Sequence, residues 1–257
     1  MKRLIFRIMA IFLAIFICVP IIDIYGQELS WYCKRNNEHK QPTAESQFSF
    51  LEECGGIYVD KAHGDDNEEK VIYLTFDIGY ENGNVAKILD VMKEENVVGS
   101  FFILENVIKQ NPDLILRMAN DGNIVCNHTS NHPNLVGKSD ETFKNEVLGL
   151  ENEYRKLTGK EISKFFRPPQ GTFDREMLER AQALGYKTVF WSFAYADWDN
   201  GKQMDEEVAL KKILDNIHNG EIMLLHPTSA TNAKIMQRLI RELKAQGYSF
   251  ATLDKIK

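Results

Sequence analysis

Ile124-Val125-Cys126-Asn127-His128-Thr129-Ser130-Asn131-His132 is the stretch on which the fold turns. Its first half is an apolar run that reads as a buried strand. Its second half holds two histidines four residues apart. That spacing sets both imidazoles on one face of a helical turn, where they can share one metal ion. α/β proteins keep their chemistry just past the C-terminal ends of parallel strands. If this chain is of that kind, other polar residues should also follow strands.

They do. Further strand-like runs lie at 71–76, 100–103, 164–167, 188–192, 222–225 and 249–252. Helical patterns fall between them. Residues 85–95 carry apolar side chains at Val85, Ile88, Leu89 and Met92, a helical spacing. Asn111-Pro112 is a cap followed by proline at the first helical position. Residues 140–157, 175–184, 206–218 and 233–246 complete the set, with Gly185 and Gly247 as helix stops. Such alternation implies a parallel sheet with right-handed crossovers. Seven strands predict an α/β fold, a distorted seven-stranded (β/α) barrel, as a single catalytic domain over 71–257.

Asp77 follows the first strand, and His128 and His132 the third. Arg167, then Pro168-Pro169-Gln170-Gly171, end the fourth. Asp197-Trp198 follow the fifth, and Leu224-Leu225-His226 close the sixth. In a barrel these loops converge on one face. The set is hydrolytic. A metal on the two histidines polarises a carbonyl and activates water. A carboxylate takes the water's proton, and the remote histidine protonates the leaving group. Singly, each residue has a plain structural use: Asp77 as a turn cap, Arg167 as an ion-pair partner, His226 as a satisfied core histidine. Their joint placement on five strand ends is what points to a site. His39, His63 and His218 have no such context.

The chain has 257 residues, enough for a sizeable core, and its 44% hydrophobic and 26% charged content is that of a globular protein. A formal charge of −6 without a basic stripe excludes nucleic acid as the main partner. Lys2, Arg3 and Arg7 precede an uncharged apolar run at 8–22. Residues 1–26 thus read as an export signal peptide or a retained membrane anchor. Either places the body of the protein outside the cytoplasm, with any membrane contact through this segment alone. Residues 27–70 are polar and irregular. They hold Trp31-Tyr32, the basic pair Lys34-Arg35 and an acidic run at 65–69. They read as a surface strap ending in a solvated loop. Cys126 reads as a small buried hydrophobe, and a Cys33–Cys54 disulfide is open to the chain in an oxidising compartment.

Residues 71–252 resemble the NodB-homology polysaccharide deacetylases, carbohydrate esterase family four. Thr75-Phe76-Asp77-x-Gly79 resembles the first motif, and His128-x-Ser130 with His132 the second. Arg167-Pro168-Pro169-x-Gly171 resembles the third, Asp197-Trp198 the fourth and Leu225-His226 the fifth. The resemblance implies a distorted seven-stranded barrel and metal-dependent removal of acetyl from an N-acetylated sugar. It implies Asp77 as general base, His128 and His132 as metal ligands, and His226 as general acid with Asp197 tuning the site. Arg167 would hold Asp77 ionised. The Gln170 N–H would face the oxyanion, and Trp198 and Leu224 would line the groove. The implied cofactor is a divalent metal ion: zinc, magnesium or manganese. One departure stands out. The family carries a metal-binding Asp where this chain has Ile78.

Ser30-Trp31-Tyr32-Cys33-Lys34-Arg35, running on to Pro42, is similar to the delta-lactam-forming branch of that family in spore-forming bacteria. So are Asp77-Ile78-Gly79-Tyr80-Glu81-Asn82-Gly83 and Val189-Phe190-Trp191-Ser192. That branch also lacks the second Asp. The likeness implies an exported enzyme of the cell envelope or spore intermembrane space. Its substrate would be N-acetylmuramic acid in a cortex peptidoglycan strand, after a peptide-removing amidase has acted, with muramic delta-lactam as the outcome. Two other readings stand beside it: a deacetylase of N-acetylglucosamine in peptidoglycan or chitin-like chains, and a non-catalytic cell-wall glycan-binding module.

Overall fold

The computed structural model describes residues 26–36 and 38–256. The apolar run at 8–22, with its export or anchor reading, lies outside the described residues. Among those described, no helix is long and apolar enough to cross a membrane.

The main sheet contains β1 (Gly56–Ile57), β2 (Lys70–Ile78), β3 (Ser100–Ile103), β4 (Ile124–Asn127), β5 (Ser163–Phe166), β6 (Lys187–Val189), β7 (Glu221–Leu225) and β8 (Tyr248–Phe250). All seven expected strands are present and parallel, in the order β7-β2-β3-β4-β5-β6-β1, with β8 also on β2. The sheet curls into the expected distorted barrel. β2 is its axis. β7 pairs with its residues 72–76, β3 with 75–78 and β8 with 70–72. Helices α1 (Asn84–Glu94), α2 (Glu105–Gln110), α3 (Pro112–Asn120), α4 (Asp140–Thr158), α5 (Arg175–Ala183), α6 (Glu206–Leu214) and α7 (Ala230–Ala245) are distributed between the strands. Side chains of Ser139, Asp174, Asp205 and Ser229 cap the N-termini of α4 to α7.

Alternation along β2 sorts the core. Val71 and Tyr73 point into the barrel with Phe102, Cys126, Val189 and Ile222. Ile72, Leu74, Phe76 and Ile78 point outward under the helices, with Ile88, Leu89 and Leu239. Thr75 and Asp77 share the inward phase, so the barrel interior turns polar at its C-terminal end.

β1, an additional strand within residues 27–70, corrects the strap reading. The acidic run at 65–69 is exposed as expected, but residues 27–70 are not laid over the surface throughout: Trp31, Phe48, Phe50, Leu51 and Tyr58 are buried. The Trp31 indole N–H donates to the Trp191 carbonyl at 2.8 Å, and its ring stacks on Phe190 at 4.8 Å. β1 pairs with β6, and Val59 then bridges to Glu221 on β7. The segment thus closes the gap between the two ends of the sheet. Its apolar residues follow no period, so neither helix nor strand spacing disclosed them. Cys33, Cys54 and Cys126 are buried and unbridged. Cys33 faces the Ser192 carbonyl and Cys54 faces Arg175, so the disulfide left open above is not formed. Burial pushes the Cys33 thiol up to about 12, which keeps it protonated.

Candidate active site

Asp77 stands at the end of β2 and is almost fully buried. Its Oδ1 accepts from Arg167 Nη1 at 2.8 Å. Arg167, just past β5, is 0% exposed. A buried guanidinium needs partners for its donors. Here Nε donates to the Val189 carbonyl at 3.1 Å, and Nη2 to Thr75 Oγ1 at 2.9 Å and the Phe190 carbonyl at 3.2 Å. The Phe102 ring lies 4.1 Å below it. Burial pushes the Asp77 carboxyl up, but the charge of Arg167, with His128 and His226, outweighs this and holds it below the usual range. Asp77 is therefore ionised at neutral pH.

His128 Nδ1 donates to the Arg167 carbonyl at 2.8 Å. A carbonyl can only accept, so the proton is on Nδ1 and the Nε2 lone pair is free. Nε2 lies 3.6 Å from Asp77 Oδ2. Burial pulls the imidazole down to about 4, so it is neutral. His132 approaches edge to face, ring centres 4.9 Å apart. The helical turn expected for this pair is absent. Residues 128–134 form a loop in which Thr129 and His132 take left-handed φ of 74° and 61°. Asn127 Oδ1 accepts the Thr129 N–H, and Thr129 Oγ1 accepts the His132 N–H. Side-chain-to-backbone bonds offered by Asn and Thr outcompete the helix here.

On the opposite side, Asp197 Oδ1 accepts from His226 Nδ1 at 2.7 Å. Asp197 Oδ2 accepts the His226 backbone N–H at 2.7 Å and Asn232 Nδ2 at 2.6 Å. The Asn232 amide is oriented by the Tyr195 hydroxyl. Burial pulls the His226 imidazolium down, but the hydrogen bond and charge of Asp197 win, and its pKa is raised. Gln203 ties the two loops together, donating to the Asp197 carbonyl and accepting from Ser229. Asn82 and Asn84 both donate to the Thr228 carbonyl, which locks the loop after Asp77 to the loop after His226.

One cavity of about 500 Å³ joins these parts. Asp77, His128, His132, Gln170, Trp198, Leu224 and His226 line it, with Gly171, Trp191, Ala194 and Tyr195. Arg167 and Asp197 stand behind the wall, each bonded to a lining residue. Gln170 takes a left-handed φ of 61° directly after two prolines, which turns the chain into the cavity wall. Sequence reasoning missed Thr75, Tyr195, Trp191 and Asn232. Thr75 was findable, because residues two apart on a strand share a face. Asn232 carried no local signal: it lies in the first turn of α7 and reaches Asp197 only through the fold.

Two neutral imidazoles that line one cavity beside an ionised carboxylate suit a divalent metal. Among the described residues, no three His, Cys, Asp or Glu side chains gather around one point. Ile78 is fully buried in the outer core and does not line the cavity. The residues therefore fit a site with two protein ligands and open positions for water and substrate.

Residues 64–189 match the polysaccharide deacetylase family model. The chain is 38% identical over 232 residues to the peptidoglycan-N-acetylmuramic acid deacetylase PdaA of Bacillus subtilis, covering 90% of this chain and 86% of that one. The solved structure of Bacillus subtilis PdaA, a family 4 carbohydrate esterase, superposes with a TM-score of 0.84 over 90% of this chain and 97% of that one. A family 4 carbohydrate esterase from Bacillus anthracis is 35% identical with a TM-score of 0.73, over 90% and 96% of the two chains. A peptidoglycan-N-acetylglucosamine deacetylase of Bacillus cereus is 31% identical, over 72% of this chain and 67% of that one.

Proposed function

The chain belongs to the polysaccharide deacetylase family, the family 4 carbohydrate esterases, and from that premise we propose that its cavity removes the N-acetyl group of N-acetylmuramic acid in peptide-free peptidoglycan. The observation that carries this is the pair of opposed ion pairs on one cavity. Arg167 keeps Asp77 ionised, and Asp197 keeps His226 protonated, so a base and an acid coexist at one pH.

Asp77 takes a proton from the attacking water as the water oxygen adds to the acetyl carbonyl carbon. The Gln170 backbone N–H faces the oxygen that gains charge. His226 gives its Nε2 proton to the departing nitrogen, so the C–N bond breaks to acetate and a free sugar amine. Trp198 and Leu224 hold the sugar face and the acetyl methyl. A divalent metal on His128 and His132, zinc or else magnesium or manganese, would polarise the acetyl carbonyl and the water. The freed amine can then close on the neighbouring lactyl carboxyl with loss of water, giving the delta-lactam of spore cortex. On this reading the protein works outside the cytoplasm, downstream of an amidase that strips the stem peptide.

The test is incubation of residues 27–257 with peptide-free muramic-acid glycan, with metal and with chelator, read by mass spectrometry. Loss of acetyl from muramic acid, only with metal, is expected. The similarity to an N-acetylglucosamine deacetylase supports a second reading, in which only N-acetylglucosamine oligomers lose acetyl. No loss from either substrate would leave a glycan-binding module.

A further inference from the structure

Glu146 has no part in the mechanism above and stands outside the described cavity lining, yet it holds the loop that carries both histidines. Backbone N–H groups away from regular structure must find partners elsewhere. Here all four from Thr129 to His132 do. Asn127 Oδ1 accepts the first and Thr129 Oγ1 the last, both at 2.9 Å. The middle two go to one residue of α4. The Glu146 carbonyl accepts the Ser130 N–H at 3.0 Å, and its carboxylate Oε2 accepts the Asn131 N–H at 2.8 Å. Glu146 takes the side-chain donors as well. Its carbonyl accepts the Ser130 hydroxyl at 3.2 Å, and its Oε1 accepts Asn131 Nδ2 at 3.0 Å. Four donors from two successive loop residues thus end on Glu146.

α4 is shaped for this contact. Gly149 lies one turn along from Glu146, and a Cβ there would stand 2.9 Å from Ser130 Oγ. Glycine inside a helix is destabilising relative to alanine, so α4 gives up stability where the loop rests on it. The loop needs the support. Thr129 and His132 are in left-handed backbone, which non-glycine residues keep only where their surroundings fix it. His128 is held by its N–H on the Ile103 carbonyl and by its ring on the Arg167 carbonyl. His132 lies beyond Asn131, so its place depends on the bonds of the loop. The site has two protein ligands, and a displaced imidazole removes half of them. Resting on the reading of His128 and His132 as metal ligands, we infer that Glu146 is a positioning residue for the metal: by fixing Ser130 and Asn131 it sets His132 beside His128 and so sets the affinity of the site. Outer partners that orient metal ligands are worth about 10–100-fold in affinity.

The test titrates zinc into the full chain, freed of metal by chelator, and reads the affinity by calorimetry beside the melting temperature of the metal-free form. Glu146→Ala should weaken zinc binding about tenfold or more. It should leave that melting temperature unchanged, because alanine is a good helix former and Glu146 is only half-buried on α4. Glu146→Gln should keep an affinity close to wild type. Its amide oxygen can accept the Asn131 N–H, and its NH2 group can donate to the Asn131 side-chain oxygen once that amide turns over. Zinc binding by Glu146→Ala as tight as that of wild type overturns the assignment. So does an equal loss in Glu146→Gln, which would mean that charge and not position sets the affinity. A loss accompanied by a lower melting temperature also overturns it, because that is the mark of a merely structural residue. Each of these leaves the two-histidine site intact. A wild type that binds no zinc sinks the metal reading itself, and this one with it.

Discussion

At the scale of residues, two carboxylates of like chemistry are set to opposite tasks by their neighbours. On the proposed mechanism Asp77, paired with Arg167, serves as the base, and Asp197, paired with His226, keeps the acid charged. Asp77→Asn is expected to lower kcat by roughly 100-fold or more in steady-state assays, as loss of a general base does. A general acid must be protonated to act, so activity is lost as pH rises through the His226 pKa. Asp197 raises that pKa. Asp197→Asn should therefore move the alkaline limb of the pH–kcat profile to lower pH; a limb that stays in place would remove His226 from the role. Ile78 faces the outer core and not the cavity, so Ile78→Asp should leave zinc affinity unchanged in a metal titration. Because Ile78 is buried in the outer core, the metal-free variant should also melt at lower temperature. These residues were legible because each follows a strand, where few polar residues have a packing reason to be. Asn232 was not legible, because its partner lies 35 residues away in sequence.

At the scale of elements, the strands were the readable part. Runs such as Ile222-Met223-Leu224-Leu225 are apolar on both faces, as a parallel strand between barrel interior and helices must be. The elements that failed to show themselves are governed by side-chain bonds or by short length. The loop at 128–134 was read as a helical turn from spacing alone, whereas Asn127 and Thr129 hold it in left-handed backbone. α2 has only six residues, too few for a period to register. The turn after β5 depends on one glycine. Gly171 has φ of 67°, and a Cβ there would lie 2.7 Å from the Trp191 ring. Gly171→Ala should destabilise the protein by about 1–3 kcal/mol in urea unfolding. It should also lower activity, since Trp191 and Gln170 both line the cavity.

At the scale of the whole molecule, the segment that looked peripheral completes the barrel. Trp31 packs against Phe48, Tyr58 and Phe190 with ring centres 4.8–5.3 Å apart and bonds to the Trp191 carbonyl. Trp31→Ala should cost about 3–5 kcal/mol in denaturant titration, a core-sized loss from a stretch whose composition suggests solvent. Loss below about 1 kcal/mol would mean that the strap is only laid over a barrel that stands without it.

The pairing of β2 also bears on time. Two of its three neighbours, β7 and β8, lie within the last 40 residues of the chain, at 221–225 and 248–250. A ribosome has made residues 70–78 long before it makes these. Until then the long apolar strand has one flank open, and local contacts cannot close it. Folding must wait for the far end, so this is a chain whose assembly is slow by topology and whose unfinished form is the one most exposed to aggregation.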